Sequence, residues 1–149
     1  MISFLSVFPP YRGGIAKFSD SLYRQLSVQT EVRAFGFKKL YPGLLFPGTT
    51  QKLEDPETAY ADEVFHPYQP FNWKRAAGRI MEDDPRFLLY SYWHPFFAPA
   101  MTRVLKLSKK INPNLKAAGI AHNILPHEYF PLKKYLTKKL LDATDLSVL

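Results

Sequence analysis

The sequence contains no cysteine, which removes disulfides, thiolate zinc sites and cysteine nucleophiles in one step and leaves a reducing compartment open to the protein. Long apolar runs are also missing. The N-terminal stretch Ile2–Pro10 is too short to span a bilayer and carries neither a cationic flank nor a small-residue cleavage signal, so it reads as a strand and a cytoplasmic protein is expected. Acid is scarce relative to base: 13 Asp and Glu against 20 Lys and Arg give a net charge of +7, a balance that favours anionic partners such as nucleotides, phosphates or acidic lipid. No helix-turn-helix, zinc module or other nucleic-acid recognition unit accompanies that charge, so nucleic acid is not an expected partner. Neither the G-x-G-x-x-G dinucleotide fingerprint, the phosphate loop nor the G-x-S-x-G serine elbow occurs. The 4 histidines include no pair at a short ligand spacing, so no metal is expected. Asp83-Asp84 falls at a helix end, where solvation is the simplest role.

What is present suits one folded domain. A chain of 149 residues can bury about 70% of its extended surface, and hydrophobic residues make up 46% of it. Aromatics reach 15% and serve either as core filling or as platforms for sugar rings.

The order of elements is legible from periodicity. Ile2–Phe8 is an apolar strand stopped by Pro9-Pro10, and Ile15, Phe18, Leu22 and Leu26 then recur at helical spacing. Glu31–Phe37 fits a second strand. The long stretch Lys38–Pro56 holds Tyr41-Pro42-Gly43 and Phe46-Pro47-Gly48, which read as turns in a loop, with an unrecognised crossing segment as the alternative. Phe71–Asp84 puts Trp73, Ala76, Ala77, Ile80 and Met81 on one helical face, and Pro85 closes it. Arg86–Trp93 and Leu115–Ala121 are strands flanking a helix whose stripe is Ala100, Val104, Leu107 and Ile111. Pro131 opens a further helix with Leu132, Tyr135, Leu136 and Leu140 inward, and Asp145–Leu149 begins one more strand. Alternating strands and helices of these lengths predict an α/β, Rossmann-like parallel sheet with helices on both faces. A chain ending at Leu149 in an apolar strand leads to the expectation that the native protein continues.

Three clusters follow strands and should share one rim, where open parallel sheets bind ligands. They are Gly13-Gly14, His94 and His122-Asn123. Glycine without Cβ lets backbone amides approach an anion at a helix N-terminus, although a tight turn alone also explains the pair. Imidazole can hold a sugar hydroxyl or shuttle a proton near neutral pH; the alternative is that each histidine satisfies backbone groups at a strand end. His66 and His127, each beside a proline, have weaker claims. Lys133, Lys134, Lys138 and Lys139 form a basic helix face that is either solvated or docked on anionic lipid headgroups.

Phe8-Pro9-Pro10-Tyr11-Arg12-Gly13-Gly14-Ile15-Ala16, Trp93-His94-Pro95-Phe96-Phe97-Ala98-Pro99 and Ala121-His122-Asn123-Ile124-Leu125-Pro126-His127-Glu128 together resemble the N-terminal domain of family 4 glycosyltransferases, retaining enzymes of the two-Rossmann-domain GT-B type. The resemblance implies that residues 1–149 are the acceptor-side domain and that a C-terminal, donor-binding domain lies outside this chain. It implies a nucleotide-sugar donor and a glycan or lipid-linked acceptor as partners, with no further cofactor and no metal. Gly13 and Gly14 would approach the donor diphosphate and the transferred sugar. His122 would act near the reacting centre, His94 and Asn123 would touch substrate, and Glu128 would bind substrate or order its loop. The family's two donor-side glutamates eight positions apart are missing, because none of Glu31, Glu54, Glu57, Glu63, Glu82 or Glu128 has that spacing. The chain alone is therefore expected to be nearly inactive. A free-standing α/β module for a nucleotide or phosphorylated metabolite is the competing expectation.

Overall fold

The structure is a computed structural model that describes residues 1–40, 59–123 and 132–148. Six strands, β1 (Ile2–Leu5), β2 (Val32–Phe37), β3 (Asp62–Phe65), β4 (Phe87–Tyr92), β5 (Lys116–Ala121) and β6 (Leu146–Val148), make one sheet in the order β3-β2-β1-β4-β5-β6. Every neighbouring pair is parallel. Among the described residues the helices are α1 (Gly14–Gln29), α2 (Pro70–Ile80), α3 (Ala98–Ile111) and α4 (Lys133–Asp142). The chain starts in the middle of the sheet, builds outward through β2 and β3, then returns to the other side of β1 with β4. That reversal makes the gap between β1 and β4 the topological switch point of a doubly wound sheet.

The strands are apolar because both faces are covered. Leu5, Phe35, Phe37, Leu88, Tyr90 and Tyr92 join Ala76, Ala77 and Ile80 of α2, Met101, Val104 and Leu105 of α3 and Leu140 of α4 in the larger core. Their neighbours along the strands, Phe4, Ala34 and Leu89, turn to the opposite face and meet Leu22 and Tyr23 of α1. The Rossmann-like reading, with helices on both faces, is thus what the chain adopts. Phe37 sits among the rings of Phe65, Trp93 and Phe97 at centroid separations of 4.9, 5.5 and 5.6 Å, and much of the aromatic content is core filling of this kind.

Several elements differ from their sequence pattern. β1 ends at Leu5, three residues before Phe8, and the helix expected over 71–84 runs from Pro70 to Ile80. β3 has no strand signature: it is four residues long and opens on Asp62 and Glu63. Its Asp62 pairs with Arg33 and Arg79 while Val64 and Phe65 are buried, so half of this edge strand is solvated and the apolar run that marks a buried strand is too short to read. Most of the loop expected over 38–56, together with Pro131, lies outside the described residues. In α4 the inward residues are Leu140 and Thr137, whereas Leu132 and Tyr135 are 70% and 52% exposed; Ile111 of α3 is likewise 55% exposed. In these short helices the face is set by α3 and the sheet rather than by apolar spacing alone. Asp83 pairs with Arg33, and Asp84 accepts a hydrogen bond from Asn112 Nδ2 at 2.7 Å, so both carboxylates are held by side-chain partners instead of being simply solvated.

Candidate functional site

At the carboxyl end of β1 the chain is fixed before it turns. Ser6 Oγ lies 2.6 Å from Ser19 Oγ of α1 with both residues buried, which ties the strand exit to the helix. Tyr11 Oη donates to Phe37 O at 2.9 Å, tying the same loop to the end of β2. Burial, then the charge of Glu63 and the neighbouring Tyr68, push the Tyr11 phenol well above its ordinary range, so it stays a donor. The loop between these anchors contains a cis Pro9-Pro10 peptide and ends at Gly13, whose φ of +117° lies where L side chains are strained.

Gly13 is the N-cap of α1 and supplies no side chain to it, and the first turn has no acidic residue. A Cβ on either Gly13 or Gly14 would meet nothing within 4 Å, so the space over the helix start is open. The first amides of α1 are therefore uncapped by any side chain and face an open cleft, with the positive end of the helix dipole behind them. Pro9, Tyr11, Arg12, Gly13, Ala16 and Lys17 line about 500 Å³ there, with two cations and no carboxylate.

His122, at the end of β5, adjoins the same helix. Its ring meets Phe18 of α1 edge to face at 4.9 Å, and Phe18 stands one helical turn beyond Gly14. The His122 amide donates to Tyr92 O at 2.8 Å and Nε2 lies 3.4 Å from Ser91 Oγ. These neighbours cover part of an otherwise exposed residue, and that burial lowers its pKa below the ordinary histidine value. The imidazole is consequently neutral at physiological pH, able to accept a proton from a hydroxyl. Asn123 beside it is exposed.

His94 follows β4 but is used differently. Its Nδ1 accepts from Phe96 N at 3.1 Å and caps the single 3-10 turn Pro95–Phe97. The ring sits edge to face with Phe97 at 6.5 Å, a residue of the core shared with α2 and α3. The strand-end role open in sequence thus accounts for one of its nitrogens. Glu128 and His127 lie outside the described residues. Gly14 opens α1, the helix whose Phe18 touches His122, and His94 follows β4, the strand that pairs with β5.

Residues that the pattern did not single out complete this corner. Phe18 read as core stripe yet is 43% exposed and supports His122. Lys17, Arg12, Ser6, Ser19 and Ser91 carry no pattern of their own in the sequence, and only tertiary pairing distinguishes them. Among the described residues no group of three His, Asp or Glu side chains could hold a metal ion, and no helix is long and apolar enough to cross a membrane.

His66, at the end of β3, is 8% exposed, and among the described residues its Nδ1 has no hydrogen-bond partner. Burial first, then the charges of Lys39 and Lys38, lower its pKa. The folded chain therefore binds this proton less readily than the unfolded one, whose histidines titrate near about 6.5. Stability is full above that pH and falls as pH drops through it towards the lower native value; His122 contributes in the same sense. Urea midpoints measured between about pH 7.5 and 5.5 should decline for the native chain and decline less for His66→Gln. An equal decline in both would remove His66 as a source of the acid sensitivity.

No protein-family model, curated protein or solved structure matches this chain.

Proposed function

We propose that the chain is the acceptor-side half of a retaining glycosyltransferase that moves a sugar from a nucleotide-sugar donor to a glycan or lipid-linked acceptor. One observation carries the reading: at the switch point of the sheet, the open and uncapped start of α1 at Gly13-Gly14 lies one helical turn from Phe18, on which a neutral His122 rests. The first feature suits a diphosphate or a sugar hydroxyl approaching the backbone, and Arg12 and Lys17 add positive charge beside it. The second supports reading His122 as the group that meets an acceptor or sugar hydroxyl. In the reaction the bond from the anomeric carbon to the donor phosphate breaks, a bond to the acceptor oxygen forms on the same face, and the acceptor proton passes, by way of His122 or directly, to the leaving diphosphate. The resemblance in the three motif segments supplies the reaction class; a cytoplasmic location and contact of the basic face of α4 with anionic lipid belong to the same proposal. On that face Lys138 already pairs with Asp142 at 2.8 Å, which leaves Lys134 and Lys139 as the stronger candidates for headgroup contact.

Reading the coding sequence beyond Leu149, and assaying residues 1–149 with nucleotide-sugar donors, tests this. A following α/β domain with two glutamates eight positions apart, together with no sugar transfer by residues 1–149 alone, is the expected result. Robust transfer by this chain alone, or a stop codon after Leu149, would overturn it. The cleft at Gly13 has cations but no carboxylate, which also suits a free-standing binder of a nucleotide or phosphorylated metabolite; a stop codon with saturable binding of such a ligand would establish that second reading.

A further inference from the structure

Away from the rim, α2, α3 and α4 pack side by side and leave a groove of about 360 Å³ on their outer surface, lined by Trp73, Pro99, Thr102, Arg103, Lys106, Tyr135, Leu136 and Lys139. Pro99 lies three and four residues before Thr102 and Arg103, and these lie four and three before Lys106, so the four form one stripe of α3. Tyr135 and Lys139, four apart on α4, form the facing wall.

The groove is one-sided in charge. It contains three cations and no carboxylate. Among the described residues neither Arg103 nor Lys106 pairs with an acid, whereas Lys109 pairs with Asp145, Lys138 with Asp142 and Arg79 with Asp62 and Glu82. Lys139 is held over the Tyr135 ring, its Nζ 4.7 Å from the centroid, a contact that fixes the ammonium against the wall without neutralising it. Trp73 is fixed too, its indole N–H donating to His66 O at 3.0 Å. The Thr102 hydroxyl, on a residue only 8% exposed, has no hydrogen-bond partner among the described residues. A buried hydroxyl left unpaired is costly, and an anion in the groove would supply the acceptor it lacks. Like charges gathered without counter-charge are likewise relieved by an anion.

We infer that this groove is a phosphate-binding site, with Arg103, Lys106 and Lys139 as the charged contacts, Thr102 as a neutral donor, and the Trp73 and Tyr135 rings flanking whatever carries the phosphate. The site is separate from the Gly13 cleft and does not depend on the glycosyltransferase reading. A guanidinium can grip two phosphate oxygens at once while the ammonium groups act as point charges. The rings favour a phosphate ester with an apolar or cyclic neighbour over a bare oxyanion. Such a group belongs either to a soluble phosphate ester or to an anionic lipid headgroup.

The test uses the 149-residue chain with phenyl phosphate and inorganic phosphate as soluble probes, and vesicles of phosphatidylcholine with and without phosphatidylglycerol. Titration is followed by calorimetry and by indole fluorescence in a Trp93→Phe background, so that Trp73 is the reporter. Phenyl phosphate is expected to bind more tightly than inorganic phosphate, and Arg103→Gln with Lys106→Gln should weaken it by about tenfold or more. Thr102→Val should weaken it with the fold intact by circular dichroism. Lys110→Gln removes the same charge from an exposed position of α3 outside the groove and should change nothing. Soluble binding without vesicle association assigns a free phosphate ester. Sedimentation with phosphatidylglycerol vesicles, lost in the double variant, assigns a headgroup. Failure of all probes to bind, or an equal loss in Lys110→Gln, would overturn the site.

Discussion

Gly119→Ala should be the most damaging single-methyl change in the molecule, lowering stability by about 3 kcal/mol or more and the melting temperature by roughly 10 °C. Gly119 on β5 stands opposite Tyr90 on β4 in the parallel register. A Cβ at this position would fall 2.6 Å from Tyr90 Oη and 2.7 Å from Cζ, closer than any packed carbon tolerates. The ring cannot swing away cheaply. Tyr90 is 1% exposed, and its hydroxyl lies 2.6 Å from Thr144 Oγ1, which in turn donates to Leu140 O at 2.8 Å. Burial has already pushed that phenol's pKa up to about 12, so it functions as a neutral donor, and displacing it would strand a buried hydroxyl as well as distort the strand. The added methyl thus forces a choice between an overpacked sheet and a broken link from β4 to the end of α4.

Two companions make the result interpretable. Tyr90→Phe in the Gly119→Ala chain should recover little, since Cζ remains at the clash distance, whereas Tyr90→Leu should recover part of the loss by opening space. Gly36→Ala is the internal contrast: its Cβ would meet Ala61 Cβ and Glu63 Cγ at 3.6 Å, ordinary contact, so it should melt near the native chain. Urea unfolding of the four variants decides the matter, and a Gly119→Ala midpoint equal to that of Gly36→Ala would refute the packing argument.

The same sheet shows where a sequence can and cannot be read. β4 and β5 carry the uninterrupted apolar and small residues that burial on both faces demands, so their positions follow from composition. The placement of Gly13-Gly14, His94 and His122 on one rim follows from parallel topology alone. β3 fails because an edge strand half held by ion pairs looks like polar loop. The face of α4 fails because two of the residues counted as inward, Leu132 and Tyr135, are solvated on a helix whose orientation is decided by α3 and β4; Tyr135 instead walls a groove. Most telling is Phe18. Helical spacing assigns it to the core with Ile15 and Leu22, but the ring is 43% exposed and meets His122 at the end of β5 instead. A period identifies a stripe without saying how far the neighbouring element extends beneath it.

That pairing frames the largest functional effect. Under the proposed acceptor-side reading, His122→Ala in the protein together with the proposed donor-binding domain is expected to reduce turnover by about 10²- to 10⁴-fold, the range for a positioned proton-transfer group, while the melting temperature of residues 1–149 shifts only slightly. Little stability is at stake, because His122 is exposed at the rim, its edge contact is with a Phe18 that is itself 43% exposed, and its hydrogen bond to Ser91 is long at 3.4 Å. A pKa lowered by burial keeps the ring neutral at and above neutral pH, so turnover should hold on that side and fall as acid protonates the ring, and the acid limb should vanish in a variant without it. His122→Gln separates two modes of action. If the ring only hydrogen-bonds a sugar hydroxyl, the amide should restore much of the rate; if it takes a proton, the amide should leave turnover as low as alanine does. A variant that unfolds residues 1–149, or one that turns over normally, would show that His122 serves the strand end rather than the reaction.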